Sequence, residues 1–341
     1  MNYSLFLMPL AVSFIVAVFI LIAIILFGRK NGEADLRIES RHVHRSGISR
    51  FGGVALIISF IIAVLIDRNL VIDAPLVGLI LALVLILFFG VIDDLRQLSW
   101  RTQFFFQIAL VLFVYFIGIR LEFVSNPFGG IFLFTGSVGI FLSLVISIVW
   151  IVFIMNAINW VDGLDGVAGG ITFIGVLSVF FLSQRENVNQ PPITIISAIL
   201  LGSLAAFLIF NFHSAKIMAG TSGSMFMGFI LAILAIFAGA KIATTFLVLT
   251  IPIIDALWVI GQRFRAGVSI FSPDKRHLHF RLLEIGWSQK QICFFYYAVT
   301  AIVSFVALNT NALGKIIAFV CLGVFTVGIL LGINKKISAL K

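Results

Sequence analysis

Apolar runs of membrane-spanning length recur from one end of the 341-residue sequence to the other, and the first, residues 4–27, contains no charged side chain. A helix needs about 20 such residues to cross the hydrocarbon of a bilayer. In lipid, every backbone N–H and C=O must find its partner inside the protein, which leaves helices or closed barrels. Barrel strands alternate apolar and polar residues, and that period-two pattern is absent here. Composition agrees, because 61% hydrophobic and 11% charged residues cannot cover a water-soluble surface of this size. The chain therefore reads as an all-α polytopic membrane protein. Cys293 and Cys321 both lie within apolar runs, so neither a disulfide framework nor a metal knuckle is indicated. The first run lacks a basic leader and is followed by basic residues, so it is expected to be a retained span rather than a cleaved signal.

Hydropathy predicts about eleven spans, near residues 4–27, 52–66, 72–92, 103–119, 138–158, 166–183, 193–210, 223–238, 241–260, 291–308 and 314–333. The connections after spans 1, 3, 5, 7 and 9, with the C-terminal tail, hold 6, 2, 0, 1, 6 and 3 Lys or Arg. That is 18 of the 23, leaving Arg68, Arg120, Arg185, Lys241 and Lys315 for the other side. The excess predicts an outside N-terminus and a cytoplasmic C-terminus. The net charge of +9 is then mostly an inner-leaflet collar and requires no nucleic-acid partner. The whole chain, 1–341, reads as one integral-membrane domain, with residues 261–290 as a cytoplasmic loop carrying an interfacial helix. "RLEFVSNPFGGIFLF", residues 120–134, has two β-prone runs around Asn-Pro-Phe-Gly-Gly and predicts a small outer β-hairpin. No internal repeat is visible, which counts against a transporter.

Polar residues gather at the predicted inner edge. "GVIDDLRQLSW" places Asp93 and Asp94 at the end of span 3. Carboxylates at a helix C-terminus oppose its dipole, and neighbouring like charges repel, so a cation or cationic side chain is expected beside them. "NAINWVDGLDGVAGG" sets Asn156, Asn159 and Asp162 three apart along one side of a helix end, with Asp165 after a glycine. Amide and carboxylate oxygens suit a hard cation such as Mg²⁺, which keeps waters and shares substrate phosphates. Turn and cap chemistry accounts for one or two of these four, but unpaired polar groups beside a bilayer are costly. In "NFHSAKIMAGTSGSMFMG", Lys216 suits a phosphate, and "GTSGS", with Ser222, is either a plain turn or a ring of N–H groups facing an anion. The basic loop 261–290 follows Asp255 and contains His277, His279 and Arg281. The i, i+2 spacing of its histidines fits phosphate contact from an extended turn better than shared metal ligation on a helix. "ESRHVHRSGISRFGG" brings Arg41, His42, His44, Arg45 and Arg50 to span 2, where the positive-inside rule alone also explains the charge.

In this order and on this side, these blocks resemble the polyprenyl-phosphate N-acetylhexosamine-1-phosphate transferase family. "GVIDDLRQLSW" and "NAINWVDGLDG" are similar to its most specific signatures, and "PIIDALWVIGQRFRAG" with "DKRHLHFRLL" resembles its C-terminal one. The resemblance runs through nearly the whole chain. It implies transfer of a sugar-1-phosphate from a UDP-N-acetylhexosamine, GlcNAc by preference, to a membrane polyprenyl phosphate, with release of UMP. It implies Mg²⁺, with Mn²⁺ as the alternative ion, a bacterial cytoplasmic membrane, and a site facing the cytoplasm. By position, Asn159 and Thr221 would hold the metal. Asp93 and Asp94 would orient the acceptor phosphate, and Asp162 and Asp165 the metal–nucleotide end. Asn156, Arg41, His44, Lys216, Ser222, His277, His279 and Arg281 would line the substrates. A homodimer is left open. The chain departs from the family pattern at four places. Thr221 stands where a metal-binding Asp is expected, Gln103 where a Lys is, Phe280 where a second His is, and the first-loop Pro is replaced around Ser49. The alternatives are a paralogue that binds nucleotide or lipid without turnover and, third, a transporter.

Overall fold

The computed structural model describes residues 4–30, 48–126, 129–186, 188–238, 242–269 and 276–340. Among them lie thirteen helices and one two-stranded sheet. The helices are α1 (Ser4–Lys30), α2 (Gly52–Ile66), α3 (Ala74–Arg96), α4 (Trp100–Phe116), α5 (Gly136–Val161), α6 (Val167–Ser183) and α7 (Pro191–Asn211). They continue as α8 (Gly220–Phe237), α9 (Ile242–Val248), α10 (Thr250–Arg265), α11 (Leu278–Glu284), α12 (Gln289–Asn309) and α13 (Ala312–Leu340). The predicted hairpin is present as β1 (Phe123–Ser125) and β2 (Ile131–Leu133), antiparallel with Val124 opposite Phe132.

Each predicted span falls on a helix, but length separates them. Seven helices are long and apolar enough to cross a membrane, or eight when the bent α9–α10 pair is one span. Helices α2, α4 and α6 have 15, 17 and 17 residues, below the length that alone establishes a crossing. The run 241–260, expected as one continuous span, is instead broken between α9 and α10 by 74°. Pro252 lies in the first turn of α10, where its missing N–H costs nothing, whereas an unbroken helix would need that donor.

Local chemistry sets the ends. Asp73 caps α3 by accepting from the Leu76 N–H, and Pro75 stands in its first turn. The helix stops at Gln97, which takes a left-handed conformation, and Ser99 then caps α4. Ser288 and Gln291 form a reciprocal capping box at the start of α12. Helix α8 is the hub, with 83% of its apolar window buried against 17% for α1. Around it pack α2, α3, α5 and α6. Gly90 permits the α3–α8 approach, since a methyl there would collide with Ser222. Small hydroxyl bonds join helices within the apolar interior, including Ser13 Oγ to the Ile199 carbonyl at 2.6 Å and Ser59 to Ser203 at 3.1 Å. The arrangement brings the ends of α3, α5 and α7 together with the beginnings of α2 and α8.

Candidate active site

The first wall is the end of α3. Asp93 is buried and its two oxygens receive three neutral donors. Oδ1 accepts from the Leu98 N–H at 2.9 Å and the Gln103 amide at 3.0 Å, and Oδ2 accepts from the Thr221 hydroxyl at 2.6 Å. The expected cation is therefore not what holds Asp93. Its side chain satisfies an N–H just past the helix end, which offsets its unfavourable position in the dipole. Asp94 differs. Its Oδ1 accepts from the Thr221 N–H at 2.8 Å, while no described residue hydrogen-bonds its buried Oδ2. The Ser222 N–H lies close to the same carboxylate without meeting hydrogen-bond geometry at Oδ2. The cation acting on Asp94 and Asp162 is Arg50.

Arg50 arrives through a backbone zipper. The Met218 N–H donates to the Ser49 carbonyl at 2.8 Å, and the N–H groups of Gly52 and Gly53 donate to Met218 and Ala219, each at 2.9 Å. The first turn of α2 thus spends its free donors on the segment leading into α8. Gly220 completes the turn with a φ of +68°, and a methyl there would meet the Arg50 carbonyl and Asp94 Oδ2.

The second wall is the end of α5. Asn159 donates to Ser224 Oγ of α8 at 2.7 Å, leaving its amide oxygen as the acceptor. Asn156 instead donates to Gln107 of α4 at 2.7 Å and to the Val152 carbonyl, so the expected Asn156–Asn159–Asp162 stripe divides between two neighbours. Asp162, at the C-cap of α5, is half-buried. Burial pushes its carboxyl well above the usual range, with Asp94 and Asp165 adding to the push and Arg50 opposing it. Asp165 is a strut. Its Oδ2 meets His213 Nδ1 at 3.0 Å and accepts from the Ala215 N–H at 3.1 Å. The turn it begins is held from behind by Asn211, which accepts from the Gly166 N–H and donates to the Ile217 carbonyl. From α12, Cys293 donates to the Asp165 carbonyl and the Tyr297 hydroxyl to that of Gly166.

The third wall is the start of α11. His279 is fully buried, and no described residue hydrogen-bonds either ring nitrogen. Burial, with the neighbouring His277 second, holds its pKa well below the usual value, so it is neutral. Its Nε2 faces Gly163, which ties this wall to the α5 turn. Arg281 is a part-exposed partner of Glu284 at 3.5 Å, and Lys216 is exposed. Ser222 is fully buried, its hydroxyl without a partner among the described residues. Arg41 and His44, with His42 and Arg45, lie outside the described residues.

The donor set suits a hard cation: Asp94 Oδ2 lacks a partner among the described residues, and the Asn159 oxygen and the Asp162 carboxyl are oxygen donors of the same kind. No group of three His, Cys, Asp or Glu with metal-holding spacing exists among the described residues. A cation here would complete its shell with water and ligand oxygens. Thr221 already donates its hydroxyl to Asp93, which leaves only its lone pairs for a metal.

Asn211, His213, Ser224 and Tyr297 carry no site signal in the sequence, where they look like ordinary caps, turns and packing. Asp255 does carry one, as a carboxylate at the end of an apolar run.

Residues 76–239 match the glycosyl transferase family 4 profile. The chain is 34% identical over 307 residues to a decaprenyl-phosphate N-acetylglucosaminephosphotransferase of Mycobacterium leprae, covering 80% of this chain and 75% of that one. It is 29% identical over 276 residues to a probable undecaprenyl-phosphate N-acetylglucosaminyl 1-phosphate transferase of Bacillus subtilis, covering 79% and 75%. A phospho-N-acetylmuramoyl-pentapeptide-transferase of Staphylococcus aureus is 26% identical over 281 residues, covering 78% and 86%. The fold and site define a multi-pass membrane protein with a polar centre at one end of its helices. The chain belongs to glycosyl transferase family 4.

Proposed function

We propose that the protein transfers N-acetylhexosamine-1-phosphate, GlcNAc-1-phosphate by preference, from a UDP-sugar to polyprenyl phosphate and releases UMP. An acceptor phosphate oxygen bonds to the sugar-bearing phosphorus, and the bond from that phosphorus to the UMP oxygen breaks. The acceptor is already ionised near neutral pH, so the protein's task is positioning and charge neutralisation. The observation that carries this reading is the buried carboxylate oxygen of Asp94 that no described residue hydrogen-bonds, in the field of Arg50 and close to Asp162, with Asn159 reaching the start of α8 through Ser224.

Asp94, Asn159 and Asp162 would hold Mg²⁺, with Mn²⁺ as the alternative, and Thr221 would add a neutral oxygen. The ion would supply charge neutralisation at the phosphates. Asp93 keeps the α3–α4 turn and Thr221 in register, and Asp165 does the same for the α5–α6 turn. Arg50 would face the phosphates with positive charge and His277 with its ring, while neutral His279 packs against the turn. Exposed Lys216 would add a basic group for the substrates, as the family resemblance also implies for Arg41 and His44.

The basic excess of the alternate connections supports eleven crossings with the N-terminus outside, the C-terminus in the cytoplasm, and the site at the inner edge of a bacterial cytoplasmic membrane. There a soluble nucleotide and a lipid phosphate meet. On this reading residues 261–290 form an interfacial loop of a single domain.

The test is UMP release by purified protein in nanodiscs with undecaprenyl phosphate, Mg²⁺ and each UDP-N-acetylhexosamine. Release with UDP-GlcNAc that stops on chelation is expected. No release with any of them, together with activity gained in a Thr221→Asp variant, contradicts it. A second reading, a paralogue that binds without turnover, is favoured by the commitment of Thr221 to Asp93. It requires nucleotide binding with no UMP released.

A further inference from the structure

A buried carboxylate–histidine pair joins α10 to the start of α11. Asp255 and His277 are 2% and 5% exposed. Asp255 Oδ2 lies 2.9 Å from His277 Nδ1, and its Oδ1 accepts from the Leu278 N–H at 2.8 Å. One carboxylate thus grips both the ring of the α11 N-cap residue and the first N–H of that helix. A carboxylate only accepts, so His277 Nδ1 carries hydrogen. That fixes the ring's orientation and leaves Nε2 for another partner. The His277 ring stacks at 8° on neutral His279 and lies 6.1 Å from Trp160, the residue after Asn159. No described residue takes Nε2.

We propose that Asp255 is a positioning residue: it holds His277 so that Nε2–H meets the anionic diphosphate of the nucleotide sugar. This rests on the transferase reading above. A ring that donates from both nitrogens is an imidazolium, so in the bound complex its charge would lie between the Asp255 carboxylate and the diphosphate, in an orientation that a lone histidine would not keep. Asp255 lies beyond residues 76–239, the stretch that matches the family profile.

Asparagine and glutamine at position 277 separate the two ring nitrogens, because asparagine keeps a donor near Nδ1 and glutamine keeps one near Nε2. Full-length protein in nanodiscs is assayed for UDP-GlcNAc affinity by calorimetry and for UMP release. His277→Asn, which retains the Asp255 bond, should fold with a thermal midpoint within about 2 °C of the parent and lose roughly 10- to 100-fold in affinity and turnover. Asp255→Asn should lose about 10-fold or more, and the double variant should be no worse than His277→Asn within about twofold, because the residues act as a unit. His277→Asn within about twofold of the parent on both readouts overturns the proposal. So does an additive double variant. Should Asp255→Asn not fold, His277→Asn and His277→Gln decide: the proposal requires Gln to retain more affinity than Asn, and the reverse order overturns it. A parent that binds UDP-GlcNAc without releasing UMP sinks the transferase reading alone and leaves the affinity comparison in force. A parent that neither binds nor reacts sinks both.

Discussion

Asp93 and Asp94 are neighbours in sequence and opposites in structure. Asp93 has both oxygens filled by a backbone N–H, an amide and a hydroxyl, while Asp94 keeps one buried oxygen without a partner among the described residues. The same contrast recurs at larger scale. At α10–α11, Asp255 spends both oxygens on the adjoining chain, whereas the α3–α5–α8 corner leaves acceptors open. A carboxylate that is fully bonded organises its surroundings; one left open in a buried place has a standing need for a cation or a ligand donor.

The largest effect that separates the two should come from Asp94→Asn. UMP release should fall by roughly 10²- to 10³-fold with the thermal midpoint unchanged, because an open charge is removed and no network is broken. Asp93→Asn should lose only about 10-fold, since the amide oxygen still accepts from Leu98 and Gln103 and its NH₂ meets a rotated Thr221 hydroxyl. Asp93→Ala, which strands three donors, should cost about 1–3 kcal/mol of stability in a thermal or denaturant melt. Equal losses from the two asparagine variants would break the comparison.

A smaller and sharper effect concerns Gln103 and Thr221, which meet on the same carboxylate. Thr221→Asp alone places a third carboxylate against Asp93 and Asp94 and should lower the melting temperature. Adding Gln103→Lys should recover it, with a coupling of about 0.5–3 kcal/mol by double-mutant cycle. Additivity would mean the two departures from the family pattern are unrelated. The smallest effect is expected at Lys216, exposed and outside both networks, where alanine should change turnover by about twofold or less.

The positions of the helices were legible in the sequence because hydrocarbon burial imposes a long apolar run. Their number as crossings was less so, since α2, α4 and α6 are short and Pro252 breaks the ninth run into two helices. The polar blocks were legible because polar groups beside lipid are expensive. Their division of labour was not. Nothing in "VIDDL" says which Asp is saturated, because the donors come from residues 98, 103 and 221. Likewise, the three-residue spacing of Asn156 and Asn159 put them on one side of α5, but α4 takes the first and α8 the second. Asp165 looked like a partner of Asp162 and is a brace for the segment after α7. Such roles depend on which helices pack together, and periodicity within one helix does not carry that.

The most direct test of the asymmetry is Mn²⁺ binding, followed by electron paramagnetic resonance on nanodisc-embedded protein with UDP-GlcNAc present. The parent and Asp93→Asn should bind the ion with affinities within about tenfold of each other, and Asp94→Asn should lose roughly 100-fold or more. Retention of Mn²⁺ by Asp94→Asn, with loss in Asp93→Asn, would contradict the assignment of the open carboxylate as the ion's ligand.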